Sequence, residues 1–202
     1  MLSFQTVLPD TLELLNVLMQ DPLLANTRLV GGTALALQYG HRRSVDLDFF
    51  GQVDDADAIR ESLKKVGTLN VIKESKHILI YILNNIKIDI VDYSTYPWLK
   101  EPIAEEGLRL ASPQDIAAMK INAIEGRGSR KDFIDIYFLL QHYSLNQILQ
   151  FYQRKYPENS VFRALMSLTY FDDAEQQDMP TMFSDKTWTE MKQYIVNQVK
   201  NI

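Results

Sequence analysis

Cysteine is absent from all 202 residues, which excludes disulfides and thiolate metal sites. Histidine is scarce, occurring at 41, 77 and 142 with no ligand spacing, so a zinc site is not expected. No run reaches the ~20 apolar residues of a membrane helix. The start, MLSFQTVLPDTLELL, lacks the basic residues and cleavage site of a signal peptide, so a cytoplasmic address is expected. A basic surplus is missing too. The formal net charge of −5 argues against indiscriminate nucleic-acid binding but leaves room for a local basic cleft. Walker A, GxGxxG and GxSxG patterns are absent, as are internal repeats and low-complexity segments.

What is present is concentrated in residues 28–50, RLVGGTALALQYGHRRSVDLDFF. A short apolar strand (Leu29, Val30) ends in Gly31-Gly32, and an apolar helix follows from Thr33. A basic turn, His41-Arg42-Arg43, leads into a second strand. Alternation along a strand puts Asp46 and Asp48 on one face and Val45, Leu47 and Phe49 on the other, toward a core. Two like charges side by side do nothing for folding, but they suit a divalent cation. The glycine pair lets backbone N–H groups approach a phosphate at a helix N-terminus. Together these are the parts of phosphoryl or nucleotidyl transfer. Mg²⁺ (or Mn²⁺) takes hard oxygen ligands. A third is expected from the strand at 86–93, IKIDIVDY, with Asp89 the first choice and Asp92 the second. Either half alone, a Gly-Gly turn or an acidic edge, is more often structural.

The remaining pattern predicts an α/β half to about residue 110 and a helical half from 111 to 202. Helices are expected over 10–20 and 54–66, and strands over 68–74, 78–83 and 86–93, with Asn84-Asn85 as a two-residue hairpin turn. Residues 98–107 read as a loop and 108–110 as a short strand. Ser112-Pro113 caps a helix over 113–125, and further helices are expected over 130–142, 144–155, about 159–168 and 185–200, with an acidic loop FDDAEQQDMP before the last. Lys120 falls on the apolar stripe with Ile116 and Ile124, where it either snorkels or points into a cleft toward a triphosphate. Arg127, Arg130 and Lys131 crowd the next helix's start, and Asp132 and Asp135 share that helix's face. Taken alone, this run reads as a solvated basic loop and N-terminal acids.

Gly31-Gly32, a thirteen-residue gap and Asp46-Leu47-Asp48 resemble the signature of the nucleotidyltransferase superfamily related to DNA polymerase β. With MKINAIEGRGSRKDFIDIYFLL, the sequence more narrowly resembles the AbiEii/AbiGii family of bacterial toxin nucleotidyltransferases, over roughly residues 25–140. The resemblance implies an α+β nucleotidyltransferase fold, a mixed sheet flanked by helices followed by a helical bundle. It implies NTP as substrate with Mg²⁺, and a separately encoded antitoxin as possible partner. Gly32 and Thr33 would hold the triphosphate, Asp46 and Asp48 the metal, and Lys120 phosphates, with Asp132 or Asp135 at the last acidic position. The expected activity moves an NMP from an NTP to an acceptor hydroxyl, RNA or tRNA first. Asp89 would bind a second metal or help deprotonate the acceptor, and Arg43, Lys120, Arg127 and Lys131 would neutralise the triphosphate. Alternatives are a protein or antibiotic acceptor, or a non-catalytic nucleotide-binding module on the same fold.

Overall fold

A computed structural model describes residues 1–202 and divides them into two compact units. The first comprises Met1–Gly40, Ser44–Pro97 and Pro102–Ala111, and the second His41–Arg43, Trp98–Glu101 and Ser112–Ile202.

In the first unit the order is α1 (Pro9–Gln20), β1 (Thr27–Leu29), α2 (Gly31–Tyr39), β2 (Leu47–Gly51), α3 (Ala56–Val66), β3 (Leu69–Glu74), β4 (Ile78–Leu83), β5 (Ile86–Asp92), β6 (Ile103–Glu105) and β7 (Leu108–Leu110). The strands form one mixed sheet, β3-β4-β5-β2-β1-β7-β6, in which β2–β5 and β1–β7 are parallel pairs. Asn84 and Asn85 take φ of +50° and +66°, the left-handed pair of a tight hairpin turn, which locks the β4–β5 register. Leu47, Phe49, Ile88 and Ile90 are sealed on one face of β2 and β5. Asp48, Lys87 and Asp89 alternate onto the other.

Three sequence expectations shift. Strand β2 begins at Leu47, so Asp46 lies just before the ladder and Val45 is 42% exposed rather than in the core. The pairing of β2 with β5 starts only at Leu47, so Val45 lies outside both ladders of β2. Within the predicted loop 98–107, residues Ile103–Glu105 pair with β7 as an edge strand too short for a periodic signal. The helix expected from Thr33 already starts at Gly31, whose φ of +68° only glycine adopts cheaply.

The second unit holds α4 (Pro113–Gly126), α5 (Arg130–Leu139), α6 (Leu145–Lys155), α7 (Val161–Ser167), α8 (Asp172–Glu175) and α9 (Trp188–Lys200). The acidic loop thus contains one short helix. Helix α4 packs on α5, α6 and α7, and α5 also packs on α9. Ser112 caps α4 as predicted, accepting from the Asp115 N–H at 3.1 Å. Asp115 is itself fully buried, and Lys155 pairs with it at 2.8 Å. It also accepts from the N–H groups of Leu99 and Lys100, tying residues 98–101 to this unit. No helix is long and apolar enough to cross a membrane.

Candidate active site

The first unit carries the carboxylates. Parallel pairing of β2 with β5 sets Asp48 directly beside Asp89, and Asp92 beside Gly51 on the opposite face. Asp46, Asp48 and Asp89 are all half-buried. The Lys87 ammonium lies 2.6 Å from both oxygens of Asp89, since residues two apart on a strand share a face. Gly31 stands against the Asp48 carboxylate so closely that a Cβ there would collide with it. At the same point the Val30 N–H donates to the Asp48 carbonyl at 2.8 Å.

This donor set fits a divalent cation. It offers hard oxygens on one face, and a cation, the Lys87 ammonium, already rests on one of them. No three acidic or imidazole side chains are gathered into a closed metal cage. Asp46 and Asp48 would hold the ion, with Asp89 next to them. Gly31→Ala should therefore do two things: lose about 1–2 kcal/mol from the left-handed backbone and turn Asp48 away. Urea unfolding and Mn²⁺ titration check both, and an alanine variant with unaltered Mn²⁺ affinity would contradict the second.

The hydroxyl of Thr33 is buried and donates to the Asp46 carbonyl, while also meeting the Ser44 hydroxyl at 2.9 Å. Sequence reasoning missed Ser44, because nothing local shows that a turn serine will face a helical threonine eleven residues back.

The second unit carries an ionic cluster. Asp135 accepts from Arg42 Nε and Nη2 at 2.7 and 2.8 Å, meets His41 Nε2 at 2.8 Å, and pairs with Lys120 Nζ at 2.6 Å. Asp132 accepts from Lys120 at 2.9 Å, from Arg127 Nε and Nη2 at 2.9 and 3.1 Å, and from the Ser129 hydroxyl at 2.6 Å. Lys120 is thus buried, as its place on the stripe predicted, and its ammonium joins the two carboxylates. Arg127 is 68% exposed, so the Asp132 end reaches the surface, whereas His41, Arg42 and Asp135 are sealed. Arg43 is half-buried with its Nε lacking a partner, and Lys131 is exposed.

Burial alone would raise the Asp135 carboxyl, but Arg42 and then Lys120 outweigh it and hold it well below the carboxylate range. Asp132 is lowered in the same way, chiefly by Lys120 against burial. For Lys120, burial is outweighed by Asp132 and Asp135, and its pKa rises. His41 goes the other way: burial outweighs Asp135 and lowers its pKa, so the neutral ring donates from Nε2 and leaves Nδ1 without a partner.

A depressed folded pKa means that stability is intact above the unfolded value and is lost as pH falls toward the folded one. Below about pH 6.5 the unfolded imidazole takes a proton that the buried His41 refuses, costing at most about 1.4 kcal/mol per pH unit. Urea unfolding at pH 5 to 7.5 should show this slope in the wild type. His41→Gln should lack that part of it, and parallel curves would refute the assignment.

The fold is a mixed sheet that sets a carboxylate pair beside a glycine-led helix. Solved structures share that fold. JHP933 from Helicobacter pylori matches at TM-score 0.57 and 20% identity over 96% of this chain and 92% of that one. The antibiotic-resistance factor ANT(2″)-Ia matches at TM-score 0.55 and 15% identity over 71% and 90%. The chain belongs to the AbiEii nucleotidyl transferase toxin family, described as a type IV toxin–antitoxin system, whose model matches residues 13–201. The uncharacterized protein aq_aa25 of Aquifex aeolicus is 34% identical over 179 residues, covering 85% of each chain.

Proposed function

We infer that this nucleotidyltransferase moves an NMP from an NTP to an acceptor hydroxyl, with a divalent cation, Mg²⁺ or Mn²⁺, held by Asp46 and Asp48. The carrying observation is the β2–β5 register, which aligns Asp48 with Asp89 two residues beyond Asp46, beside the N-terminus of α2. When bound, the ion would neutralise charge developing on the α-phosphate and pyrophosphate. The Gly31 and Gly32 backbone N–H groups suit phosphate oxygens. Asp89, paired with Lys87 at 2.6 Å, either completes the cation site or takes the acceptor proton. Arg43, Lys120, Arg127 and Lys131 are assigned to the triphosphate on their charge and the family resemblance. Asp132 is preferred to Asp135 for a working role because its cluster reaches the surface through Arg127.

RNA, tRNA in particular, is the first-choice acceptor, in a cytoplasmic toxin restrained by a separately encoded antitoxin. A second reading, a cationic small molecule, is favoured by the exposed acids Asp172, Asp173 and Asp178. The test incubates the protein with each α-³²P NTP, Mg²⁺ and either total RNA or a cationic aminoglycoside, beside an Asp46→Ala/Asp48→Ala control. Label in RNA that the control abolishes is expected. Label only in a small cationic acceptor would establish the second reading, and no transfer to any acceptor would overturn both.

A further inference from the structure

The cation site has a weak point in its architecture. Asp48 is held on both sides, by its pairing with β5 and by the Val30 N–H on its carbonyl, but Asp46 precedes the first residue of β2. Its backbone therefore needs another anchor if its carboxylate is to keep one position. The structure supplies one. The Thr33 hydroxyl, in the first turn of α2, donates to the Asp46 carbonyl. The Ser44 hydroxyl meets Thr33 Oγ1 at 2.9 Å, and the Ser44 N–H donates to the Thr6 carbonyl at 2.9 Å. Thr33 is 1% exposed and Ser44 is 8% exposed, so water does not compete for these bonds. A threonyl hydroxyl has one proton. Given to Asp46, it is not available to a phosphate oxygen.

We propose that Thr33, oriented by Ser44, is a positioning residue that fixes Asp46 for the cation, and that its hydroxyl does not bind the triphosphate. The proposal rests on the assignment of the cation to Asp46 and Asp48. The helix N-terminus still serves phosphate through the backbone of Gly31 and Gly32, so the two halves of the site are separable. Thr33→Val keeps the shape and loses the bond, and Thr33→Ser keeps the bond and loses a methyl group.

The experiment titrates Mn²⁺ by electron paramagnetic resonance without nucleotide, and ATP by calorimetry in EDTA. Thr33→Val should weaken Mn²⁺ binding roughly tenfold or more, as loss of an outer-sphere support does. Thr33→Ser should restore it, Ser44→Ala should fall between, and ATP affinity in EDTA should not change in any of them. Wild-type Mn²⁺ affinity in Thr33→Val would overturn the proposal, as would loss of ATP in EDTA with Mn²⁺ binding intact. If Thr33→Val does not fold, unchanged Mn²⁺ affinity in Ser44→Ala overturns it. Failure of the underlying reading looks different: the wild type would then bind no more Mn²⁺ than Asp46→Ala/Asp48→Ala.

Discussion

Replacing Asp135 by alanine is expected to cost about 3–5 kcal/mol, the usual penalty for stranding buried charges. Asp135 accepts from Arg42 Nε and Nη2 and also meets Lys120 and His41, all inside the protein. Removal takes away the buried carboxylate that Arg42 Nε and Nη2 donate to, while Lys120 retains Asp132. The melting temperature of a chain this size should fall by roughly 10 °C or more. Asp135→Asn, which keeps the shape and loses the charge, should lie between. Asp132→Ala should cost less, because Arg127 is 68% exposed and its charge is already largely solvated. Urea unfolding of the three variants checks the order. A loss under about 1 kcal/mol for Asp135→Ala would mean that water already reaches Arg42.

Asp48→Ala is expected to act in the opposite direction on stability and activity. Asp48 and Asp89 face each other across β2 and β5, and like charges so placed repel. Without metal the variant should be no less stable than the wild type, and is expected to gain about 0.2–1 kcal/mol. Nucleotidyl transfer should fall at least about a hundredfold, more than loss of an outer-sphere group costs. Mn²⁺ should stabilise the wild type and leave the variant unmoved, as expected when a ligand binds only the native state of the first. Calorimetric melting with and without Mn²⁺ reads all of this, and equal stabilisation of both proteins would remove Asp48 from the cation site.

These two predictions draw on different kinds of information. The direction of Asp48 was legible in the chain, because alternation sets it opposite the apolar Leu47 and Phe49 wherever the strand lies in the fold. Asp135 was legible only as one of two acids on a helix face. Nothing in residues 130–139 says that Arg42, ninety-three positions earlier, will be its partner. The same holds for Lys155 and Asp115, forty positions apart and fully buried against each other.

The sequence by itself determined the helix starts at Ser112 and Ser144, the Asn84-Asn85 turn, and a glycine pair with a helix and then DLD after it. These depend on interactions within a few residues, so they survive without knowledge of the rest. Only the tertiary structure decided that Asp89 rather than Asp92 stands beside Asp48, because one residue of register reverses every side chain on a strand. It also decided that Val45 faces out, that the Thr33 hydroxyl is committed to Asp46, and that Lys120 lies between two carboxylates. Each depends on which distant backbone or charge arrives opposite a given side chain, and periodicity along one segment carries no record of that.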